Sequence, residues 1–297
     1  MKRTRRNTLE RGKWSFFKTL MLAGLLIYAV CLFMPLLWAV ITSFKTQRDF
    51  RVNIIGLPKD WTWNFNAILD EFYIKVTTPE GSKQVGVLQM LLNSLLYSVG
   101  CSFFGTLVPC VTAYLCARYH YKFSKLIYSV VIVVMALPII GNLPAEISLA
   151  TSLGIFDHIW GLWLMKANFL GMYFLVFYNL FRSLPNAYTE AAIIDGAGNW
   201  TVMLKVLMPL AKNTFLTVML INFIMYWNDY QTPLIYLPSY PTIALGMYRM
   251  SYITVGTMAT IPMRMTAAVF MLVPTLVLFS CFHKRLMGNL TMGGIKG

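Results

Sequence analysis

Six stretches of almost unbroken apolar residues, at about 19–43, 88–116, 126–150, 159–181, 213–237 and 265–283, alternate with shorter polar segments along the chain. Each approaches or exceeds the roughly 20 residues that cross about 30 Å of hydrocarbon, so each predicts a membrane-spanning helix. The expected architecture is an all-α integral membrane protein with six transmembrane helices. A basic N-terminal segment, 1–18, precedes a transmembrane domain, 19–283, and a C-terminal tail, 284–297, follows it. The first apolar stretch sits behind basic residues, as a signal sequence does. It exceeds the roughly 7–15 apolar residues of a signal core, and no convincing small-residue cleavage site follows it, so it is read as the first helix.

Composition agrees with the pattern. Hydrophobic residues make up 58% of the 297 residues and charged ones 12%, where a soluble domain carries about 25% charged. Mean hydropathy is +0.62. A net charge of +14 would suggest nucleic acid in a soluble protein, but here the cations fall in short clusters between apolar stretches, the pattern of a topology signal, and no nucleic-acid partner is expected. With both termini placed inside, sixteen of the 25 Lys and Arg lie on the inner side, eight on the outer side, and Lys166 lies within a span. The outer eight are offset by five acids in the segment 44–87. The termini are therefore expected to be cytoplasmic. The long outer loop 44–87 holds Pro58, Trp61, Trp63, Phe65 and Tyr73 among mixed charges. It can lie on lipid headgroups or dock an external partner, and both readings stay open here.

Several chemistries find no support. The cysteines, Cys31, Cys101, Cys110, Cys116 and Cys281, lie in or beside apolar stretches without CxxC spacing, and read as small buried apolar residues. His120, His158 and His283 are scattered, and no phosphate-binding GxxxxGK[ST] run occurs. No metal, cofactor or catalytic residue is expected on this chain, and an intramembrane enzyme is set aside.

The inner loop 182–212 is the most specific segment. It runs from Arg182 through Ser183, Pro185, Glu190-Ala191-Ala192 and Asp195-Gly196 to Val206-Leu207-Met208-Pro209. Ser183 can cap a helix whose first turn holds Pro185. Glu190 suits the positive end of that helix, and Gly196 and Gly198 interrupt it. Asn199 can cap a second short helix that Pro209 ends. A headgroup-bound amphipathic helix carries large apolar residues opposite Lys and Arg, yet 186–198 has neither cation. A docking helix is favoured.

These residues resemble the EAA signature of importer-type ABC transporter permeases: Glu-Ala-Ala, three residues, Gly, nine residues, then Ile-x-Leu-Pro. Val206 and Met208 are the departures, and both stay apolar. The run Phe181-Arg182-Ser183-Leu184-Pro185 and the Asp195-Gly196-Ala197 form are similar to the carbohydrate-uptake, maltose-type branch, in its smaller permease subunit. Asn93-Ser94, Pro138 and Pro144, Trp227-Asn228-Asp229 with Pro233-Leu234, and the tail Leu290–Gly297 match that branch in order. The resemblance implies a bacterial inner-membrane protein that imports sugar without being an enzyme. Its implied partners are a second permease in a heterodimer, two cytoplasmic ATPase subunits that hold ATP and Mg, an external solute-binding protein, and membrane lipid. It implies that the loop docks on an ATPase, with Glu190 and Gly196 foremost in coupling, Ala191 and Ala192 as the contact face, and Asp195 and Pro209 framing it. A permease for another solute such as glycerol phosphate is an alternative. A secondary transporter working alone is a further one, although no inverted repeat is evident.

Polar groups inside spans are costly and often functional. Trp227, Asn228 and Asp229 combine stacking and hydroxyl-binding groups suited to sugar, or else make interhelical contacts. Lys166 is expected to snorkel outward rather than line the pathway, and Glu146 to sit at the interface. Pro138, Gly141 and Pro144 are expected to kink or break the third helix.

Overall fold

The computed structural model describes residues 16–78, 81–119, 121–137 and 141–290. Pro138 and the tail residues 291–297 lie outside them, as do the first fifteen residues. In chain order the helices are α1 (Phe16–Ser43), α2 (Gln47–Val52) and α3 (Phe65–Glu71), followed by the hairpin of β1 (Tyr73–Thr78) and β2 (Gly81–Gly86). Next come α4 (Val87–Arg118), α5 (Lys122–Ala136), α6 (Leu143–Ser152), α7 (Ile159–Lys166) and α8 (Met172–Ser183). The inner loop forms α9 (Ala187–Ile194) and α10 (Asn199–Thr201), and a π-helical segment, Val202–Leu207, leads into α11 (Met208–Trp227). Then follow α12 (Gln231–Tyr236), α13 (Ile243–Met250) and α14 (Ile261–Leu290).

Among the described residues, three helices are long and apolar enough to cross a membrane: Phe17–Ser43, Val87–Arg118 and the continuous run Asn199–Trp227. A shorter apolar helix spans Ile261–Val277. Three expected spans are interrupted. The third divides between α5 and α6, where Gly141 takes φ +86° and Pro144 enters the first turn of α6. Proline fits that position because its missing N–H would have no partner there anyway. The fourth, expected to be continuous over 159–181, breaks at Ala167–Gly171 between α7 and α8. Asn168 and Gly171 are weak helix-interior residues, and the Asn168 N–H turns back onto the Lys166 carbonyl at 2.9 Å.

The fifth span corrects two further expectations. Pro209 does not end a short helix, because the π segment carries the backbone past it. Met208 N–H bonds to Met203 O, five residues back, and this wider turn accommodates a residue that cannot donate and whose ring crowds the preceding turn. At its other end the span stops early, at Trp227, and resumes as α12. The sixth helix runs beyond its expected end at 283, to Leu290.

The segment 44–87 is folded rather than a plain loop. Phe72, just ahead of β1, and Ile74 and Val76 within it are buried in alternation and meet Val85 from β2, whose register pairs Ile74 with Val85. That period of two is the mark of a half-buried strand. Lys45 is fully buried, with its Nζ donating to Asn53 O at 2.6 Å and Ile54 O at 3.3 Å. Trp61 and Trp63 stay exposed.

At the centre stands α4. Its buried Ser94, Ser98, Ser102 and Thr106 follow one another every fourth residue, a single ridge of small side chains on which Ser94 meets the start of α13 and Thr106 meets Asn222 of α11. One apolar core joins Cys110, Tyr114, Phe174, Phe177, Phe181, Leu207 and Ala211 beneath the inner loop. Another gathers Ile68, Phe72, Met90, Phe223, Trp227 and Met263 beneath the outer segment.

Candidate functional site

Helix α9 has no buried residue. Glu190 lies in its first turn, exposed, together with exposed Ala191, Asp195 and Gly196. Ala192 faces the other way, half-buried against the core of α4 and α8, as does Ala197. The two alanines expected to share a contact face are thus divided: Ala191 looks outward and Ala192 inward. Ile193, Ile194, Trp200 and Leu204 add large apolar side chains to the outer face, with Ile194 85% and Trp200 75% exposed.

The helix ends in a Schellman turn. Ala197 N–H bonds to Ala192 O and Gly196 N–H to Ile193 O, both at 2.9 Å. The turn requires a residue in the left-handed region, and Gly196 sits there at φ +81° without a Cβ penalty. The expected caps differ. Ser183 is the last residue of α8, its Oγ donating to Leu180 O, and Asn186 precedes α9 without a side-chain cap. Pro185 lies ahead of α9 rather than in its first turn. Asn199 is the first residue of α10, and Gly198 takes the capping position.

A residue that sequence reasoning passed over positions this loop. Arg118, the last residue of α4, donates from Nη1 to Asn186 Oδ1 at 2.7 Å and from Nη2 to Leu184 O at 3.0 Å. The guanidinium fork spans the entry to α9 and ties the loop to the central helix. Beside it, Tyr114, Arg118, Asn186, Thr189, Glu190 and Val202 border a cavity of about 280 Å³.

The residues expected along a sugar pathway separate. Trp227 is 1% exposed, its indole N–H donating to Met271 O at 3.1 Å and its ring stacked on Phe223. No face is open for a sugar, so the expected platform is a core residue. Asp229 is committed internally: Oδ2 accepts from the Tyr97 hydroxyl at 2.8 Å, and Oδ1 accepts from the N–H groups of Gln231 and Thr232. It caps α12 and fastens the helix break to α4. Asn228 remains exposed, donating to Ile224 O. Glu146 accepts from Asn142 and from the Tyr236 hydroxyl, which joins α6 to α12.

Lys166 ends α7 and is half-buried on the wall of a second cavity, of about 130 Å³. Nearby, Asn222 donates to Thr106 Oγ1 at 3.1 Å, both fully buried. Among the described residues no group of three or more His, Cys, Asp or Glu is placed to hold a metal ion.

The long apolar helices, the broken spans and the exposed loop helix define a multi-pass membrane protein whose helices are divided around a central one. The fold is shared with the crystal structure of a bacterial ABC transporter involved in the import of the acidic polysaccharide alginate, at a TM-score of 0.75 and 19% identity, covering 91% of this chain and 98% of that one. Residues 105–289 match the family of binding-protein-dependent transport system inner membrane components, and the chain belongs to that family. It is similar, at 26% identity over 284 residues, to the diacetylchitobiose uptake system permease protein NgcG of Streptomyces coelicolor, covering 91% of this chain and 86% of that protein. It is also similar to the melibiose/raffinose/stachyose import permease protein MelC of Bacillus subtilis, at 23% identity over 275 residues, covering 91% and 94%. The family is one of permease subunits, which are not themselves enzymes. The likeness to ABC transporter permeases drawn from the loop residues thus holds at the level of the family.

Proposed function

We propose that this chain is one membrane-spanning subunit of an ATP-driven, binding-protein-dependent importer of sugars, best described by its division of labour: it forms half of the pathway and takes its energy through the inner loop. With six spans both termini lie on one side of the membrane, and the excess of Lys and Arg on that side supports the bacterial cytoplasm. A second, non-identical permease completes the pathway, an external binding protein delivers the sugar, and two cytoplasmic ATPases hold ATP and Mg, with no cofactor on this chain. Sugars are the class named for the relatives NgcG and MelC.

The observation that carries the reading is the outer face of α9 and α10. A loop without Lys or Arg between 186 and 198 exposes Ile194 and Trp200, and large apolar groups on a rigidly capped helix call for a protein partner rather than anionic headgroups. Arg118 and the Schellman turn hold that face in register with α4, so a movement imposed on the loop reaches the bundle. Closure of the ATPases on ATP biases the permease between two states through different contacts in each. Glu190 supplies a charged contact and Ala191 a close one.

Affinity purification of the tagged chain from its own cell, after gentle solubilisation, is expected to recover a second permease and an ATPase in stoichiometric amounts. Glu190→Lys is expected to leave the amount of chain in the membrane unchanged while ATP-dependent uptake falls at least about tenfold, the loss of roughly 1.4 kcal/mol of coupling. A chain that purifies alone and transports without an ATPase overturns the proposal.

A further inference from the structure

We propose that the turn at residues 52–57, where α2 ends, dips into the lipid at the C-terminal end of α1 and anchors the folded segment 44–87 at the boundary between headgroups and acyl chains. In the orientation proposed above, that lipid is the outer leaflet. The inference stands apart from the sugar reading and needs only that α1 spans the membrane.

Val52, Ile54, Ile55 and Leu57 are each between 53% and 79% exposed, four large apolar side chains within six residues, a patch that calls for a partner other than water. The backbone beneath them is tied inward. Lys45 Nζ donates to Asn53 O at 2.6 Å and to Ile54 O at 3.3 Å, and Trp38 Nε1 gives Ile54 O a second bond at 2.9 Å. Asn53 Nδ2 donates to Leu57 O at 2.7 Å, and Asn53 Oδ1 accepts from the Gly56 N–H at 2.9 Å. Carbonyls surrounded by water have no need of a fully buried lysine. Carbonyls facing lipid must find their donors within the protein.

The depth follows from what the turn touches. Trp38 lies five residues before Ser43, the last residue of α1, which puts it about 7 Å inward of the helix end at 1.5 Å per residue. Trp61 and Trp63 instead pack on Phe44, just past that end, with ring centroids at 5.8 and 5.7 Å. These exposed tryptophans stand where an aromatic belt marks the membrane surface. Residues 52–57 fold back below them, along a helix whose outward face is itself apolar. Arg48, Arg51 and Lys59 flank the turn, exposed, with one exposed acid, Asp60, and long cationic side chains reach headgroups from such a position. Asp49 is buried, its Oδ2 accepting from the Lys59 N–H at 2.9 Å. A protein partner fits less well, because protein interfaces carry about one hydrogen bond per 100–200 Å² and three carbonyls of this turn already point inward.

The test uses the full chain, with any subunits that co-purify, in nanodiscs of phosphatidylethanolamine and phosphatidylglycerol. A trace of phosphatidylcholine carrying a diazirine near the glycerol end of one acyl chain is photolysed, and adducts are mapped by peptide mass spectrometry. Lipid adducts are expected on residues 52–57 and on the C-terminal third of α1, with background label only on the hairpin of β1 and β2. Label on α1 without label on 52–57 overturns the proposal. Label as strong on the hairpin as on 52–57 also overturns it, since the whole segment would then lie on the surface. The second arm puts the cross-linker on the protein. Ile55→p-benzoylphenylalanine is expected to capture phospholipid, and Lys83→p-benzoylphenylalanine, on the exposed side of β2, to lose that adduct. Capture at position 55 of a second permease or an external protein, or of nothing at all, overturns the anchor.

Discussion

Helices α1 and α4 are alike in length and opposite in placement. The more apolar of the two, with a mean hydropathy of 2.5 over its best window, has none of that window buried, while α4, at 1.6, has half of it buried. A soluble protein would sort them the other way. Lipid is as apolar as leucine, so burying α1 would gain little, and its outward Leu25, Ile27, Phe33 and Leu37 have a suitable solvent already. What draws α4 inward is its polar and small side chains. Asn93 donates to Pro241 O at 3.0 Å, Ser94 accepts from Ile243 N–H at 2.8 Å, and Tyr97 and Thr106 bind Asp229 and Asn222. Those bonds fix the start of α13, the α11–α12 break and the middle of α11 against one axis.

The contrast can be broken most severely at paired glycines. A Cβ on Gly100 of α4 would lie 2.0 Å from Trp163 Nε1, whose N–H bonds to Leu96 O at 3.0 Å and whose ring stacks on Phe104. Gly100→Ala is expected to cost about 1–3 kcal/mol by overpacking, read as a lowered melting temperature in detergent. Gly24→Ala in α1 meets nothing within 4 Å and is expected to lower it not at all. A loss from Gly24→Ala as large as from Gly100→Ala would undo the comparison.

A smaller effect tests the polar seam. Ser94→Ala leaves the buried Ile243 N–H without its partner, and a cost of about 0.6–2 kcal/mol is expected, with faster hydrogen exchange confined to the first turn of α13. Smallest of all, Leu25→Ala on the exposed face of α1 is expected to stay within about 0.5 kcal/mol. A larger change there would mean that α1 is packed in the purified chain and not turned outward.

Much of this was legible in the residues. The apolar runs located α1, α4 and most of α11, and the loop signature located α9 and the turn at Gly196, because those features depend on neighbours in sequence. The ridge Ser94, Ser98, Ser102, Thr106 stands in the sequence at a spacing of four, but of these only the pair Asn93-Ser94 carries a recognisable motif. The break at Ala167–Gly171 was hidden by Phe169 and Leu170, which keep the window apolar while Asn168 and Gly171 weaken the helix. Trp227 looked like a sugar platform because its neighbours are polar. Its fate depends on Phe223, one turn back, and on Met271, 44 residues away in α14, and no local pattern reports the second. The strands of 73–86 were legible as alternation and were masked by the charges between them.

The passage through Val202–Leu207 has a mechanical consequence. Because the π turn replaces a break, residues Asn199–Trp227 form one rod of 29 residues, about 43 Å long at 1.5 Å per residue. Its joint lies near one end, so the two arms are unequal: a short one bearing exposed Trp200 and a long one bearing buried Asn222 and Trp227. Any small rotation at that joint is magnified along the long arm, and a tilt of a few degrees at Trp200 becomes a displacement of a few ångströms where α11 gives way to Asn228.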